Sequence, residues 1–206
     1  MKVSVSILKE YDDLINAVDK VNKSKADYLH IDVMDGKFVN NLKFPVSACK
    51  DIMEASNKKI DMHLMVSDED TVLKYAYLMP DIITFHVEIL NNKELITNIK
   101  KMGIKVGLAI NPNTNIDTLL PYINDIDLVL FMSVEPGYGG QEFILSVLDK
   151  VKELKDKVSS NIVISIDGGI NDRVAPLCKE AGCDMVVSGS FITDSENYDE
   201  KIKALT

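Results

Sequence analysis

The chain has 206 residues, of which 46% are hydrophobic and 27% are charged. These proportions are ordinary for a globular protein that buries a core of its own. The formal net charge of −9 disfavours nucleic acids and anionic membrane surfaces as partners. It does not exclude an anionic metabolite, because a bound cation or converging backbone N–H groups can make a small site locally positive.

The cysteines and the first residues of the chain indicate a cytoplasmic location. Cys49, Cys178 and Cys183 show no disulfide-framework spacing, so reduced thiols are expected. The apolar run within residues 1–8 is too short for a secretory signal peptide, and no run approaches the length needed to span a membrane.

Short apolar, β-branched runs alternate along the chain with segments of helical periodicity. The runs predict eight strands that begin 22 to 34 residues apart: 3–8, 28–34, 60–66, 82–87, 105–110, 128–134, 162–166 and 185–188. Residues 11–25 predict a helix that buries one apolar stripe: Leu14, Ile15, Val18 and Val21. Residues 142–158 predict a second long helix. Two shorter helices are each followed by a glycine suited to a helix C-terminus: 93–102 before Gly103, and 173–181 before Gly182.

Strands that alternate with helices imply parallel pairing, and eight such units favour a closed (β/α)8 TIM barrel. The alternative is an open doubly wound sheet, which normally has a Gly-x-Gly-x-x-Gly turn after its first strand. Here the first strand is followed by Lys9-Glu-Tyr-Asp12 instead. No Gly/Ser-rich linker divides the chain, so we expect one catalytic domain over residues 1–206.

All three histidines of the chain stand near the C-terminal ends of predicted strands, where the active sites of such barrels lie. His30 and Asp32 are two residues apart, so they point to the same face of their strand. A divalent metal needs three or four ligands from different elements. His30, Asp32, His63 and Asp167 meet that requirement, although a buried structural histidine is an alternative reading of His30. From the residues alone, His86 with its neighbour Glu88 remains a rival to Asp167.

Three glycine-rich stretches follow neighbouring strands. They are Pro136-Gly-Tyr-Gly-Gly-Gln141, Asp167-Gly-Gly169 and Ser188-Gly-Ser190. Isolated Gly-Gly pairs are usually turns, but glycines also let backbone N–H groups approach an anion, and barrels commonly bind phosphate after their last two strands. Three such stretches together favour a phosphate site. Three methionines also stand near strand ends, where core packing is the usual role and an apolar wall beside a reaction intermediate is the alternative: Met34, Met65 and Met132.

The chain closely resembles the ribulose-phosphate 3-epimerase family. The resemblance rests on segments in the family's order over nearly the whole length. The two most specific are His30-Ile-Asp-Val-Met-Asp-Gly-Lys-Phe-Val39 and Met132-Ser-Val-Glu-Pro-Gly-Tyr-Gly-Gly-Gln141. The others are Ser4-Val-Ser-Ile-Leu8, Asp61-Met-His-Leu-Met-Val66, Phe85-His-Val-Glu88, Asn111-Pro-Asn-Thr114, Asp167-Gly-Gly-Ile170 and Ser188-Gly-Ser190.

This resemblance implies a (β/α)8 barrel that interconverts ribulose 5-phosphate and xylulose 5-phosphate at C3. It implies one divalent ion (zinc, iron, manganese or cobalt) held by His30, Asp32, His63 and Asp167, with Asp32 and Asp167 as the acid/base pair. It places His86 and Glu88 outside the metal set. Further residues are implied to contact the substrate: Ser6, His63, Met34, Met65 and Met132. The phosphate end would be lined by Gly137, Tyr138, Gly139, Gly140, Gly168, Gly169, Gly189 and Ser190. The family forms dimers and hexamers, so a homo-oligomer is expected.

The chemistry accounts for two aspartates. An aspartate of ordinary pKa is a weak base for a C3 proton, unless a cation stabilises the enediolate that forms. Inversion then needs a base on one face of the planar intermediate and a protonated acid on the other.

The sequence of residues 40–45 leaves undecided whether the substrate has five or six carbons. The family usually has Pro-Asn after the Phe-Val pair and then Gly-Pro, whereas this chain has Asn40-Asn41 and Lys43-Phe-Pro45. Because this loop is expected at the mouth of the site, a six-carbon substrate, as in the allulose-6-phosphate 3-epimerases, is the alternative. From other classes, a metal-dependent hydrolase barrel would also gather histidines and aspartates, but there is no His-x-His pair after the first strand. A non-catalytic sugar-phosphate-binding protein would be expected to lack one of the two aspartates.

Overall fold

The computed structural model describes residues 1–158 and 161–206. Nine strands form one sheet: Lys2–Ser6 (β1), Tyr28–Asp35 (β2), Leu42–Lys43 (β3), Lys59–Met65 (β4), Ile82–His86 (β5), Lys105–Ile110 (β6), Leu128–Met132 (β7), Val163–Asp167 (β8) and Met185–Ser188 (β9). Strand β1 pairs in parallel with both β2 and β9, which closes the sheet. Eight parallel strands therefore form the predicted (β/α)8 barrel. The short β3 was not predicted, and it adds to β2 antiparallel.

Within the described parts of the chain, eight α-helices surround the strands: Leu14–Lys23 (α1), Val46–Ala55 (α2), Glu69–Ala76 (α3), Glu94–Lys101 (α4), Val147–Lys157 (α5), Ala175–Ala181 (α6), Ser190–Thr193 (α7) and Tyr198–Ala204 (α8). Gly103 and Gly182 have positive φ angles of 86° and 102°, as expected for the glycines that follow α4 and α6. Helix α3 was missed although the sequence carries a start signal. The side chain of Asp68 accepts a hydrogen bond from the backbone N–H of Thr71, and two acidic residues follow Asp68.

Two predicted helices begin later than expected. Residues 8–13 form a 3-10 turn, and α1 begins only at Leu14, because Asp13 has a non-helical backbone with φ −140° and ψ 59°. The prediction that Ile15 is buried is wrong, since it is 63% exposed. The buried stripe of α1 consists of Ala17, Val18 and Val21, and Ile15 lies to one side of it. The helix predicted from residue 142 begins at Val147.

The hydrophobic core lies mainly between the strands and the surrounding helices. A smaller apolar cluster fills the lower barrel interior with Tyr28, Ile82, Ala109, Leu128, Leu130, Met132, Met185 and Val187. Polar side chains occupy the rest of the interior, where Ser4, Asp61, Thr84 and Ser165 are all buried. The interior thus contains both apolar and polar side chains, and of these Asp61 lies on β4, beside His30 of β2.

Gly107 lies where the barrel interior has no room for a side chain. A Cβ at this position would collide with Thr84 Oγ1 and lie 2.9 Å from Leu128 Cδ2. We expect Gly107→Ala to lower the free energy of unfolding by about 1–3 kcal/mol, because both neighbours are buried and must shift. Urea denaturation measures this change. The control is Gly139→Ala, where a Cβ meets nothing within 4 Å and the expected effect on the free energy is about 0.5 kcal/mol or less. Equal effects of the two variants would contradict the steric argument.

An aspartate stands directly before four of the eight barrel strands and fastens each to its neighbour. In every case the carboxylate accepts the backbone N–H of the second residue of the preceding barrel strand, at 2.8–2.9 Å: Asp27 from Val3, Asp81 from Ile60, Asp127 from Val106 and Asp184 from Ile164. Because these donors lie at the strand starts, the four links form a ring at the N-terminal end of the barrel. The strands are thereby joined in pairs, β1 with β2, β4 with β5, β6 with β7 and β8 with β9.

No helix among residues 1–158 and 161–206 is both long and apolar enough to cross a membrane.

Candidate metal centre and active site

Four side chains converge at the C-terminal ends of three strands. His30 and Asp32 lie on β2, His63 on β4 and Asp167 on β8, and one ligand atom from each lies within 4.8 Å of the others. Asp32 and His63 are register partners, which places them side by side on neighbouring strands. His30, Asp32 and His63 are buried and Asp167 is nearly so. This is the set that the sequence singled out as metal ligands.

His30 is held between three carboxylates. Its Nε2 faces the centre of the cluster, 3.2 Å from Asp32 Oδ1 and 4.0 Å from Asp167 Oδ2. Its Nδ1 lies 2.8 Å from Asp61 Oδ2, which also accepts a hydrogen bond from the Ser4 hydroxyl. Sequence reasoning missed Asp61. The signal was present, because Asp61 is two residues before His63 and so points into the barrel on the same face.

His63 presents its other nitrogen to the cluster. Its Nδ1 lies 3.3 Å from Asp32 Oδ1 and 4.0 Å from Asp167 Oδ2, whereas its Nε2 lies 3.0 Å from Nε2 of His86. His86 therefore stands behind His63 and contributes no ligand atom to the cluster. Of these two rivals, Asp167 contributes an atom to the group that could hold a metal and His86 lies outside it.

The pKa values of the two aspartates in the cluster are shifted in opposite directions. Burial opposes the ionisation of Asp32, but the charge and hydrogen bonds of His30 and His63 outweigh it and lower the pKa of Asp32. Burial and the nearby Asp32 carboxylate raise the pKa of Asp167 to about 7. At neutral pH one carboxyl group is thus ionised while the other can hold a proton.

The pKa values of the two imidazoles in the cluster are also shifted in opposite directions. Burial disfavours the charged form of His30, but the carboxylates of Asp32 and Asp61 overcome this and raise its pKa. Burial lowers the pKa of His63 to about 4, and the hydrogen bond with Asp32 offsets this only in part. His63 is therefore neutral at pH 7, the state in which an imidazole nitrogen can bind a metal.

Comparison with known proteins identifies the family. A model described as the ribulose-phosphate 3 epimerase family matches residues 2–193. The chain belongs to the ribulose-phosphate 3-epimerase family. The ribulose-phosphate 3-epimerase of Bacillus subtilis (strain 168) is 38% identical over 199 residues, which cover 93% of this chain and 92% of the relative. The protein of the same name from Helicobacter pylori (strain ATCC 700392 / 26695) is 37% identical over an alignment of 213 positions, which covers 100% of this chain and 96% of the relative.

Solved structures at low identity share the fold of this family member. KGPDC from Streptococcus mutans aligns with a TM-score of 0.68 and 14% identity, over 98% of this chain and 94% of that one. The 3-hexulose-6-phosphate synthase from Salmonella typhimurium aligns with a TM-score of 0.67 and 16% identity, over 100% and 96%. At these identities the likeness shows the barrel fold alone.

Of the residues that the family resemblance assigned to substrate contacts, Ser6 bonds directly to the cluster and the three methionines are packed in apolar clusters. The Ser6 hydroxyl donates to Asp32 Oδ2 at 2.6 Å, so it orients the second oxygen of that carboxylate. Met34 and Met65 are buried and form a small apolar cluster with Val39 near the C-terminal end of the barrel. Met132 belongs to the apolar cluster inside the barrel and pairs in register with Asp167. All three methionines are packed, as the sequence alone favoured.

The glycine loops after β8 and β9 are tied together, and the loop after β8 has a conformation that requires glycine. Gly168 and Gly169 have φ angles of 118° and 65°, and a Cβ on Gly169 would lie 2.8 Å from Gln141 O. The Ser188 hydroxyl donates to Ile170 O at 3.0 Å, which joins the two loops. Gly189 precedes Ser190, the first residue of α7, and lies beside Ser6. These two loops therefore stand next to the carboxylate cluster.

The loop after β7 meets the loop after β2 across the barrel mouth. Asn41 Nδ2 donates to Gly137 O at 2.8 Å, and a Cβ on Gly137 would lie 3.1 Å from Val39 Cβ. Tyr138, Gly139 and Gly140 are exposed. The Phe38 ring lies 4.5 Å from the His86 ring, so the β2 loop reaches over the imidazoles. The segment that departs from the family pattern thus contacts the glycine loop directly.

Proposed function

We propose that this protein epimerises a ketose phosphate at C3, with D-ribulose 5-phosphate and D-xylulose 5-phosphate as its substrate pair. The observation that carries this proposal is the convergence of Asp32 and Asp167 with His30 and His63 in one cluster, in which a ligand atom from each residue lies within 4.8 Å of the others. Membership of the ribulose-phosphate 3-epimerase family supports the same reaction.

The four clustered side chains fit a divalent metal ion. Two imidazole nitrogens and two carboxylates are donors that zinc, iron, manganese and cobalt accept. His30 and His63 also have their second ring nitrogens hydrogen-bonded, as metal-binding histidines almost always do. His30, Asp32, His63 and Asp167 would hold the ion. When bound, it supplies Lewis-acid stabilisation of the negative charge that develops on the substrate oxygens.

The two aspartates divide the proton transfer between them. Asp32, ionised at neutral pH, removes the C3 proton from one face of the substrate, and the Ser6 hydroxyl fixes the carboxylate for this task. Asp167, which can hold a proton at neutral pH, delivers a proton to C3 from the opposite face. In the reverse direction the two residues exchange roles, because both directions pass through the same planar enediolate.

The remaining residues would bind and enclose the substrate. Ser6 and His63 contact its polar end, and Met34, Met65 and Met132 enclose the reacting carbons. Backbone N–H groups of the glycine loops hold the phosphate: Gly137, Tyr138, Gly139, Gly140, Gly168, Gly169, Gly189 and Ser190. This arrangement needs no cationic side chain, because the phosphate would be bound by backbone dipoles.

Proton NMR in D2O tests the proposal. The protein loaded with Zn²⁺, or in parallel with Mn²⁺ or Co²⁺ and assayed by a coupled reaction, is incubated with D-ribulose 5-phosphate. The expected product is D-xylulose 5-phosphate that carries deuterium at C3, because the hydrogen that Asp167 delivers has exchanged with D2O. Release of inorganic phosphate or a cleaved product would instead support the hydrolase alternative, and binding without exchange would support a non-catalytic sugar-phosphate protein.

Allulose 6-phosphate is the second candidate substrate, since Asn41 of the altered loop contacts Gly137 in the glycine loop. A loop that differs from the family at this contact can change the length of substrate that fits. Comparison of kcat/KM for the five- and six-carbon phosphates ranks the two. A higher value for allulose 6-phosphate would overturn the substrate assignment and leave the reaction type unchanged.

A further inference from the structure

A chain of hydrogen-bonding groups runs from Glu88 to the metal cluster through two imidazoles. Glu88 Oε2 lies 3.3 Å from His86 Nδ1, and His86 Nε2 lies 3.0 Å from His63 Nε2. His63 Nδ1 then faces Asp32 and Asp167. Both imidazoles are fully buried, whereas the Glu88 side chain keeps 25% of its exposure. The proposed mechanism uses neither Glu88 nor His86.

The Glu88 end of the chain has a fixed polarity. Its Oε1 accepts the backbone N–H of Asn111 at 3.0 Å and the hydroxyl of Thr114. Burial opposes the ionisation of Glu88, but the hydrogen bonds from His86, Thr114 and Asn111 lower its pKa to about 2. An ionised carboxylate only accepts hydrogen bonds, so the nitrogen that faces Oε2, His86 Nδ1, must carry a hydrogen.

The metal end of the chain has a fixed polarity as well. A metal can bind His63 Nδ1 only if that nitrogen has a free lone pair, so the hydrogen of a neutral His63 is on Nε2. That N–H points at His86 Nε2, which must therefore be bare. The requirements from the two ends agree, since His86 then carries one hydrogen, on Nδ1, and accepts one hydrogen bond, on Nε2.

We propose that Glu88 is a positioning residue that sets the tautomer of His63 through His86 and so keeps His63 Nδ1 available for the metal. The inference rests on the metal centre of the proposed function. It explains why the two metal-facing histidines present different nitrogens. The carboxylate of Asp61 fixes the tautomer of His30 by direct contact with its Nδ1, whereas the carboxylate of Glu88 acts on His63 through the imidazole of His86.

Nitrogen NMR of the zinc-loaded protein tests the polarity directly. Long-range ¹H–¹⁵N correlation spectra distinguish Nδ1–H from Nε2–H imidazoles, and the chain has only three histidines to assign. The expected result is His86 as the Nδ1–H tautomer and His63 with its hydrogen on Nε2. A bare Nδ1 on His86, or hydrogens on both of its nitrogens, would overturn the proposal.

Glu88→Gln reverses the polarity with little change in shape. The backbone N–H of Asn111 still requires an acceptor, so the amide oxygen of the introduced side chain is expected at the Oε1 position and its NH2 group opposite His86 Nδ1. A neutral His86 has only one nitrogen without a hydrogen. It can therefore accept a hydrogen bond from the introduced amide at Nδ1 or from the His63 N–H at Nε2, but not from both. We expect the affinity for Zn²⁺, measured by competition with a chromophoric chelator, to fall about tenfold to a hundredfold.

The matched control is Glu135→Gln, which changes another exposed carboxylate near the same end of the barrel, whose Oε1 accepts from Asn113 Nδ2 at 3.3 Å. Its Zn²⁺ affinity should equal that of the unmodified protein, and urea denaturation of each metal-free variant separates lost binding from lost folding. An unchanged affinity of Glu88→Gln for Zn²⁺ would overturn the proposed relay, in which Glu88 sets the tautomer of His63 through His86. Failure of the unmodified protein to bind Zn²⁺ would overturn the metal centre and the relay together, whereas tight binding without epimerisation would overturn only the proposed reaction.

Discussion

Asp167→Asn is expected to lower kcat for epimerisation by about 100- to 10,000-fold, the range for loss of a general acid or base. The amide keeps an oxygen at the cluster but cannot give or take the C3 proton. Asp32 is still present on the other face, so it should continue to remove the proton from one of the two epimers. We therefore expect hydrogen–deuterium exchange at C3 of one epimer only, without inversion, and proton NMR in D2O with each epimer separately measures this.

Asp172→Asn is the control for this experiment, because Asp172 is an exposed carboxylate in the loop that follows the same strand. It should epimerise normally. Metal content is measured for both variants, since Asp167 is also a proposed ligand. Near-normal turnover of Asp167→Asn would contradict the two-aspartate mechanism, and loss of exchange in both epimers with the metal retained would contradict the division of faces between Asp32 and Asp167.

Asp61→Ala is expected to destabilise the protein by about 3–5 kcal/mol, the range for breaking a buried ion pair by removing one partner. The carboxylate accepts hydrogen bonds from Ser4 Oγ and His30 Nδ1, each at 2.8 Å, deep in the barrel. Without it both donors are buried and unsatisfied. Urea denaturation of the metal-free protein gives the free energy of unfolding.

Ser4→Ala removes only the neutral hydrogen bond to the same carboxylate and leaves the contact with His30 in place. Its expected cost is about 1 kcal/mol. A similar small cost for Asp61→Ala would show that the Asp61–His30 contact contributes little to stability.

The barrel was predictable because its strands are short apolar, β-branched runs that alternate with segments of helical periodicity. The runs at 105–110 and 185–188 were predicted with the observed bounds, and the others differ by one or two residues at one or both ends. Strand ends in a closed parallel barrel share one face, so the positions of the histidines in the sequence sufficed to bring His30, Asp32 and His63 together. The sequence positions of these residues and the regular barrel were together enough to predict that they lie close to one another.

Other features depend on contacts that no periodic pattern records. The choice between Asp167 and His86 as a ligand depends on which side chain lies between the others, and without the family resemblance the sequence left it open. The exposure of Ile15 depends on which edge of the apolar stripe of α1 packs against the strands, and the structure buries Ala17, Val18 and Val21 instead. Asp61 is recognisable as a partner of His30 only once β2 and β4 are known to be paired in register.

The ring of aspartates at the N-terminal end of the barrel divides the chain into four modules, each of two consecutive barrel strands with the segment that connects them. Each link joins the two strands of one module, and none of the four crosses from one module to the next. New chain termini placed between modules, as in a circular permutant opened before β4, β6 or β8, leave all four links inside continuous segments. Termini placed within a module separate an aspartate from its partner strand along the chain. The barrel is therefore divisible at three places, and a half-barrel of two modules retains every link of its own.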